Sequence, residues 1–523
     1  MDTLIKNVTV IDGSGEPAFR GAVGMEKGKL KVFHGDTGDL SAKEIVDGTG
    51  LFVVPGFIDT HSHGDLTLSS VYPTASKITQ GITTQVAGHC GTSMFPCVQD
   101  EQSFAEYKKF VSAIAPHPDM PEHFTFCESA KGFYDWQASL DTPVTTYSFV
   151  GHGSLRLWAM GYANRKPDST ELKRMQDMLR RCIREGALGL STGLVYVPSR
   201  YADNEELLAL MQVLKEEGGI YANHPRNEAD TGVEARRETL DLVKQAGVPL
   251  NVSHLKIAGK DNWGKTKILI EDIDRALQDG VDLIIDSYPY LAGATSLNVS
   301  IPPKYLNGGM EGLCKALEDP EACRDMEKQI SGKTPDYENY IYNSGGYSGV
   351  FVSSCPTFHD ADGMRITEYA EKIGTSPFEA YRQILLKNGG SGLGIYFHMC
   401  EDDMLRILSH PLCAIGTDGL IGEPGENIHP RVFGTMPRAY HVLTDELHIC
   451  SKEEAIRRMT GLPAEKLGLS GKGFLRDGYD ADILLIDLDN FRDNSTYAKG
   501  YLRSSGIRDI WTGGKKVNME IYK

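Results

Sequence analysis

No two of the ten cysteines form a CxxC pair, and they are scattered from Cys90 to Cys450. That spacing argues against a disulfide framework and against a thiolate zinc knuckle, and it fits a reducing, cytoplasmic setting. No uninterrupted apolar stretch of about 20 residues occurs, so no membrane-spanning helix is expected. Positive charge is in deficit: 54 Lys and Arg against 71 Asp and Glu give a net charge of −17. This disfavours broad electrostatic binding to nucleic acid or to an anionic membrane surface, and an anionic substrate would need a local basic pocket. Internal repeats and low-complexity tracts are also missing. What remains is an ordinary globular composition, 41% hydrophobic and 24% charged over 523 residues, long enough for one large α/β barrel with an accessory domain.

The opening run MDTLIKNVTVIDG alternates apolar and polar residues, so it reads as a strand and not as the apolar core of a signal peptide. Short β-like runs with Gly and Asp turn signals fill roughly the first fifty residues, and the last fifty read the same way. The pattern predicts a small β-sandwich-like domain built from both termini, residues 1–53 and 467–523. Between them, over 54–466, apolar strand candidates alternate with amphipathic helix candidates. Eight strands are predicted: GFIDTHSH, ITTQVAG, TYSFVGH, ALGLSTGL, IYANH, PLNVSHL, VDLIIDSY and CAIGTDG. Eight such βα units predict a closed (β/α)8 barrel. ELKRMQDMLRRCIREG, NEELLALMQVLKEEGG, GVEARRETLDLVKQAG and KILIEDIDRALQDG have helical spacing and end at Gly. Residues from about 296 to 395 are too many for a plain connection between the last two strands, and predict an insertion over the barrel mouth.

In such a barrel, chemistry collects where strands end. Strand one ends in Asp59, His61 and His63, strand two leads to His89 and Cys90, and strand three ends at His152. Strands five, six and eight end at His224, His254 and Asp418. His61 and His63 stand at i and i+2, so on a strand their imidazoles share one side and can converge on one ion while Ser62 points away. Each residue alone has a plainer reading. A single His fits a hydrogen-bonded rim residue, Cys90 a small buried hydrophobe, and Asp418-Gly419 a turn. Together they predict a metal site, because a thiolate beside a divalent cation is chemically reasonable. A carboxylate facing that metal suits proton abstraction from water activated there.

The phrases VVPGFIDTHSHGD, HLK, IGTDG and DGYDADILLID resemble the amidohydrolase superfamily. AGHCG, STGLVYVPSRYA, NHPRNE, SHLK, DSYPYLAGAT and HPRVFGTMPR, in this order over almost the whole chain, are similar to the N-acyl-D-amino-acid deacylase (D-aminoacylase) family. The resemblance implies a zinc-dependent amidase acting on N-acyl-D-amino acids. It implies a tightly held zinc on Cys90, His224 and His254, a weaker second metal position on His61 and His63 with Cys90 bridging, and Asp418 as catalytic acid and base. Lys256, Tyr196 and Arg431 match positions associated with substrate binding, and Tyr288 and Tyr290 are candidates for lining the side-chain pocket. Position 89 is His where the family pattern has Asn, and Pro225 stands where Leu is more usual. The loop after Asp418, LIGEPGENIHPR, is the expected place for substrate-specific variation. A cyclic-amide hydrolase of the hydantoinase or dihydroorotase kind would need a metal-bridging lysine at the end of strand four, and ALGLSTGLVY has none. A non-catalytic scaffold would be expected to have lost ligands that this chain retains.

Overall fold

Strands from the two ends of the chain share one sheet. The computed structural model describes all residues except 36–37, 115–123, 335, 421–426, 447 and 523. Thr3–Val10, Phe19–Glu26, Lys29–His34, Glu44–Asp47 and Phe52–Pro55 join Ile483–Ile486, Ile507–Thr512 and Lys515–Lys516 in an eight-stranded sheet. Its seam is the antiparallel pair in which Val54 faces Leu484. Ile5, Val8, Val23, Val53, Leu485 and Trp511 form a core of their own on this sheet. Alternating sequence thus becomes a two-faced sheet, as the period of two requires.

The middle of the chain carries parallel strands, called here β1 (Phe57–Asp59), β2 (Ile82–Ala87), β3 (in two pieces, Thr145–Ser148 and Val150–Gly151), β4 (Gly189–Gly193), β5 (Ile220–His224), β6 (Leu250–Val252), β7 (Leu283–Ser287) and β8 (Cys413–Ile415). β1, β2 and the first piece of β3 pair in one sheet, and the second piece of β3 runs through β4 to β8 in another. Hydrogen bonds join the sheets on both sides. Phe149 N donates to Ala87 O and Leu188 N to Ser148 O, both at 3.0 Å, and Thr60 N reaches Ile415 O at 3.3 Å. All eight predicted strands are present where the sequence put them, and most are shorter, although Ile220–His224 matches in full. β1 stops at Asp59, so His61 and His63 follow the strand and do not lie in it. The i, i+2 argument survives only because Ser62 keeps a parallel bridge to Gly419 and its hydroxyl turns to Gln85, donating at 2.7 Å.

The predicted helices lie at Ser169–Arg184, Asn204–Glu217, Gly232–Ala246 and Thr266–Gln278. Asp168 and Glu171 form a capping box on the first, and Gly218 and Gly247, both in the left-handed region, stop the next two. The insertion folds on itself. Gly293–Ser296, Leu393–Tyr396 and Val350–Ser354 make an antiparallel three-stranded sheet over a separate core that includes Leu297, Leu313, Met326, Phe378 and Tyr381. No helix among the described residues is long and apolar enough to cross a membrane.

Candidate metal and active site

Three of the sequence-predicted residues share an uncommon backbone. Cys90, His254 and Asp418 have φ of 53°, 30° and 47°. For residues with a Cβ this left-handed conformation costs about 1–3 kcal/mol each, and it persists where surrounding structure enforces it. Each lies two or three residues beyond a strand, after β2, β6 and β8 respectively. The turn brings each side chain into one buried cluster.

Cys90 Sγ lies 3.2 Å from His254 Nε2 and 3.5 Å from His61 Nε2. His61, Cys90 and His254 offer ligand atoms within 4.8 Å of one another, as do His61, His63 and Asp418, and also His224, Glu228 and His254. Asp418 Oδ1 stands 3.3 Å from His63 Nε2 and 3.6 Å from His61 Nε2. The two nitrogens of His224 have no hydrogen-bond partner although the residue is only 3% exposed. Converging imidazoles, a thiol and carboxylates with unsatisfied nitrogens fit a divalent transition-metal cation, and zinc is among the ions that take N and S donors.

A surrounding layer of charge fixes this cluster. Asp286 Oδ1 accepts from His254 N at 2.7 Å and lies 3.0 Å from His61 Nδ1, while burial lifts its carboxyl to about 6. Asp59 accepts from Lys77 Nζ at 2.6 Å and from Thr417 N at 2.7 Å, tying β1 to the residue before Asp418. Arg431 Nη1 approaches Asp418 Oδ2 at 2.9 Å. Burial alone would raise the Asp418 carboxyl, but Arg431, His63 and His61 together hold it well below the usual carboxylate range. Burial first, then Asp418, pushes the Cys90 thiol well up, and a bound cation would reverse that by favouring thiolate.

A cavity of about 440 Å³ opens on the cluster and is lined by His63, Cys90, His224, His254, Asp418, Lys256, Tyr196 and Tyr288 among others. Tyr196 donates to or accepts from Thr295 Oγ1 at 2.9 Å and also lines a neighbouring, mostly apolar cavity of about 640 Å³. Lys256 is not a free cation: its Nζ lies 2.8 Å from Glu228 Oε2 and 2.7 Å from His254 Nδ1. Two expected substrate contacts fall elsewhere. Arg431 is fully buried behind Asp418 and also donates to Ala294 O at 3.1 Å, outside the cavity lining. Tyr290 turns away to Asp493 Oδ2 at 3.1 Å, because the chain leaves β7 at Ser287 and turns, with Tyr290 N on Tyr288 O at 3.0 Å. The two tyrosines therefore do not share one face as residues at i and i+2 on a strand would. His89 stacks on His61 at 3.9 Å with both nitrogens unbonded. Of the loop after Asp418, LIGEPGENIHPR, residues 421–426 lie outside the described residues.

Glu228, Asp286, Lys77 and His398 were not singled out from the sequence. Glu228 and Asp286 stand inside NHPRNE and DSYPYLAGAT, next to the histidine and tyrosines that were, so a search for acids near each strand-end donor would have found them. Lys77 and His398 come from a helix and from the insertion and carry no local signal.

Parallel strands whose ends gather histidines, a cysteine and carboxylates define a metal-site hydrolase class, and the comparisons agree. The amidohydrolase family profile matches residues 44–326, and a second amidohydrolase profile matches 401–517. The chain belongs to the amidohydrolase family, on its D-aminoacylase branch. A D-aminoacylase of Alcaligenes xylosoxydans xylosoxydans is 30% identical over 99% of this chain and 95% of its own. An N-acyl-D-aspartate deacylase of the same organism is 32% identical over 99% of this chain and 92% of its own. The crystal structure of N-acyl-D-glutamate deacylase from Bordetella bronchiseptica, complexed with zinc and a phosphonate mimic of the tetrahedral intermediate, superimposes with a TM-score of 0.81 at 29% identity, covering 99% of this chain and 96% of that one.

Proposed function

We propose that the protein hydrolyses the amide bond of N-acyl-D-amino acids, yielding a carboxylate and a free D-amino acid. The observation that carries this reading is the convergence of His61, Cys90, His254 and Asp418 at the strand ends, in a chain whose full-length relatives are deacylases of this kind. Cys90, His224 and His254 would hold the tighter zinc, and His61 and His63 would serve a second, weaker position. Cys90 Sγ lies near both His61 and His254, so its thiolate would be within reach of either position. When bound, the ion supplies a nucleophile at neutral pH and polarises the carbonyl.

Asp418 does the proton work. Held ionised by Arg431, it takes a proton from the attacking water and returns it to the amine nitrogen as the tetrahedral adduct collapses. One water is consumed and one C–N bond breaks. Lys256 and Tyr288 hold the substrate carboxylate, and Tyr196 stands at the junction with the apolar cavity. The strand cycle is read as a closed (β/α)8 barrel over 54–466, with 1–53 and 467–523 forming the small domain. The hydrogen bonds linking β1 to β8 and β2 and β4 to β3 support this.

The test is turnover of paired N-acetyl-D- and N-acetyl-L-amino acids, with acidic, aromatic and aliphatic side chains, in the presence of zinc. Hydrolysis of at least one D compound with little or none of its L partner is expected. Hydrolysis of neither, or of the L series alone, contradicts the reading.

A further inference from the structure

The insertion sends one histidine into the wall of the site cavity. His398, two residues beyond the strand Leu393–Tyr396, is 2% exposed and lines that cavity. Neither of its ring nitrogens has a hydrogen-bond partner, and neither does the hydroxyl of Tyr288. Buried polar atoms are rarely left so. The two close on the same point: a Cβ placed on Gly293 would lie 3.0 Å from His398 Nε2 and 3.7 Å from Tyr288 Oη. Glycine at 293 thus leaves a small space onto which two unsatisfied groups converge.

The imidazole is held firmly. The His398 carbonyl accepts from Gly259 N at 2.7 Å and from Trp263 Nε1 at 3.1 Å, and its ring packs on Tyr340 with centroids 5.6 Å apart. Lys256 shares the cavity, and the Arg431 guanidinium lies over the Tyr288 ring at 4.7 Å. Burial, then Lys256, pushes the His398 imidazole down to about 3, so at neutral pH it carries one N–H donor and one acceptor. A phenol O–H, an imidazole N–H and an ammonium around one small space suit an acceptor-only group with several lone pairs, which is a carboxylate.

We propose that His398, together with Tyr288, hydrogen-bonds the α-carboxylate of the substrate above Gly293, beside Lys256. The assignment rests on the deacylase reading, and it makes His398 a substrate-binding residue contributed by the insertion. It predicts that the insertion acts in recognition as well as in covering the mouth.

The experiment compares each N-acetyl-D-amino acid that the wild-type enzyme hydrolyses with its carboxamide analogue, which keeps the scissile acetyl amide but loses the carboxylate. The readout is the ratio of kcat/KM values within one enzyme preparation, so a partial loss of folded protein cancels. In His398→Phe and His398→Ala the ratio should fall roughly 10- to 100-fold, as expected for losing a hydrogen bond to a charged group, through KM with kcat largely kept. His398→Gln, which restores a donor, should recover most of it. A wild-type ratio in the Phe and Ala variants of an active enzyme overturns this assignment alone. If the wild-type protein hydrolyses no N-acyl amino acid, the deacylase reading fails, and the assignment falls with it.

Discussion

His152 and His224 both stand at the end of a parallel strand, 0% and 3% exposed, yet they end in opposite states. His152 is closed: Nδ1 lies 2.9 Å from Ser199 Oγ, Nε2 lies 2.9 Å from Glu206 Oε1, and Glu206 is also paired with the buried Arg156. His224 is open, with no hydrogen bond to either nitrogen, and His89 beside His61 is the same. Burial alone does not separate a structural histidine from a ligand-binding one. Their nitrogens differ: the His152 ring sits in a satisfied network, which rigidifies it, and the His224 ring leaves both nitrogens open to a partner.

This contrast can be broken at either cluster. Asp418→Asn should lower turnover by about 10²- to 10⁴-fold while zinc content per chain stays at the wild-type level. Near wild-type kcat in that variant would remove Asp418 from the proton transfer. At the closed cluster the sign of the effect reverses. Glu206→Ala should destabilise the protein by about 3–5 kcal/mol in denaturant unfolding, since it strands Arg156 in the interior, yet the folded enzyme should keep its zinc and its kcat. A loss of zinc there would mean that the two clusters are not independent. The smallest effect is expected at the protein surface, in the cap of the helix Ser169–Arg184. The Glu171 carboxyl is held down to about 2 by Arg165 and by the Asp168 amide. Its stabilisation is therefore present above the ordinary carboxylate value of 4.5 and fades as the pH falls from there towards about 2. Glu171→Gln should cost under about 1 kcal/mol at pH 7 and flatten that acid slope. An unchanged slope would assign it to other carboxylates.

Much of this architecture was legible because it is local. A period of two in the terminal runs, apolar strands followed by Gly-terminated helices, and polar residues after each strand follow from short-range physics, and they located the strands and the histidines. What was hidden is long-range or depends on a turn. Arg431 looked like a free carboxylate clamp, since nothing in HPR shows that its guanidinium meets Asp418. Tyr288 and Tyr290 looked equivalent until the turn after Ser287 separated them. Glu228 was invisible as the partner of Lys256 because only the fold brings them to 2.8 Å. His398 needed the insertion to be folded before it had any neighbour to name.

The account stands most directly on the thiol of Cys90 binding zinc. X-ray absorption at the zinc edge of the purified, zinc-loaded enzyme should show a sulfur neighbour at about 2.3 Å beside nitrogen ligands at about 2.0–2.1 Å, with the sulfur lost in Cys90→Ala. A zinc shell of nitrogen and oxygen only in the wild-type protein, unchanged in Cys90→Ala, would contradict it.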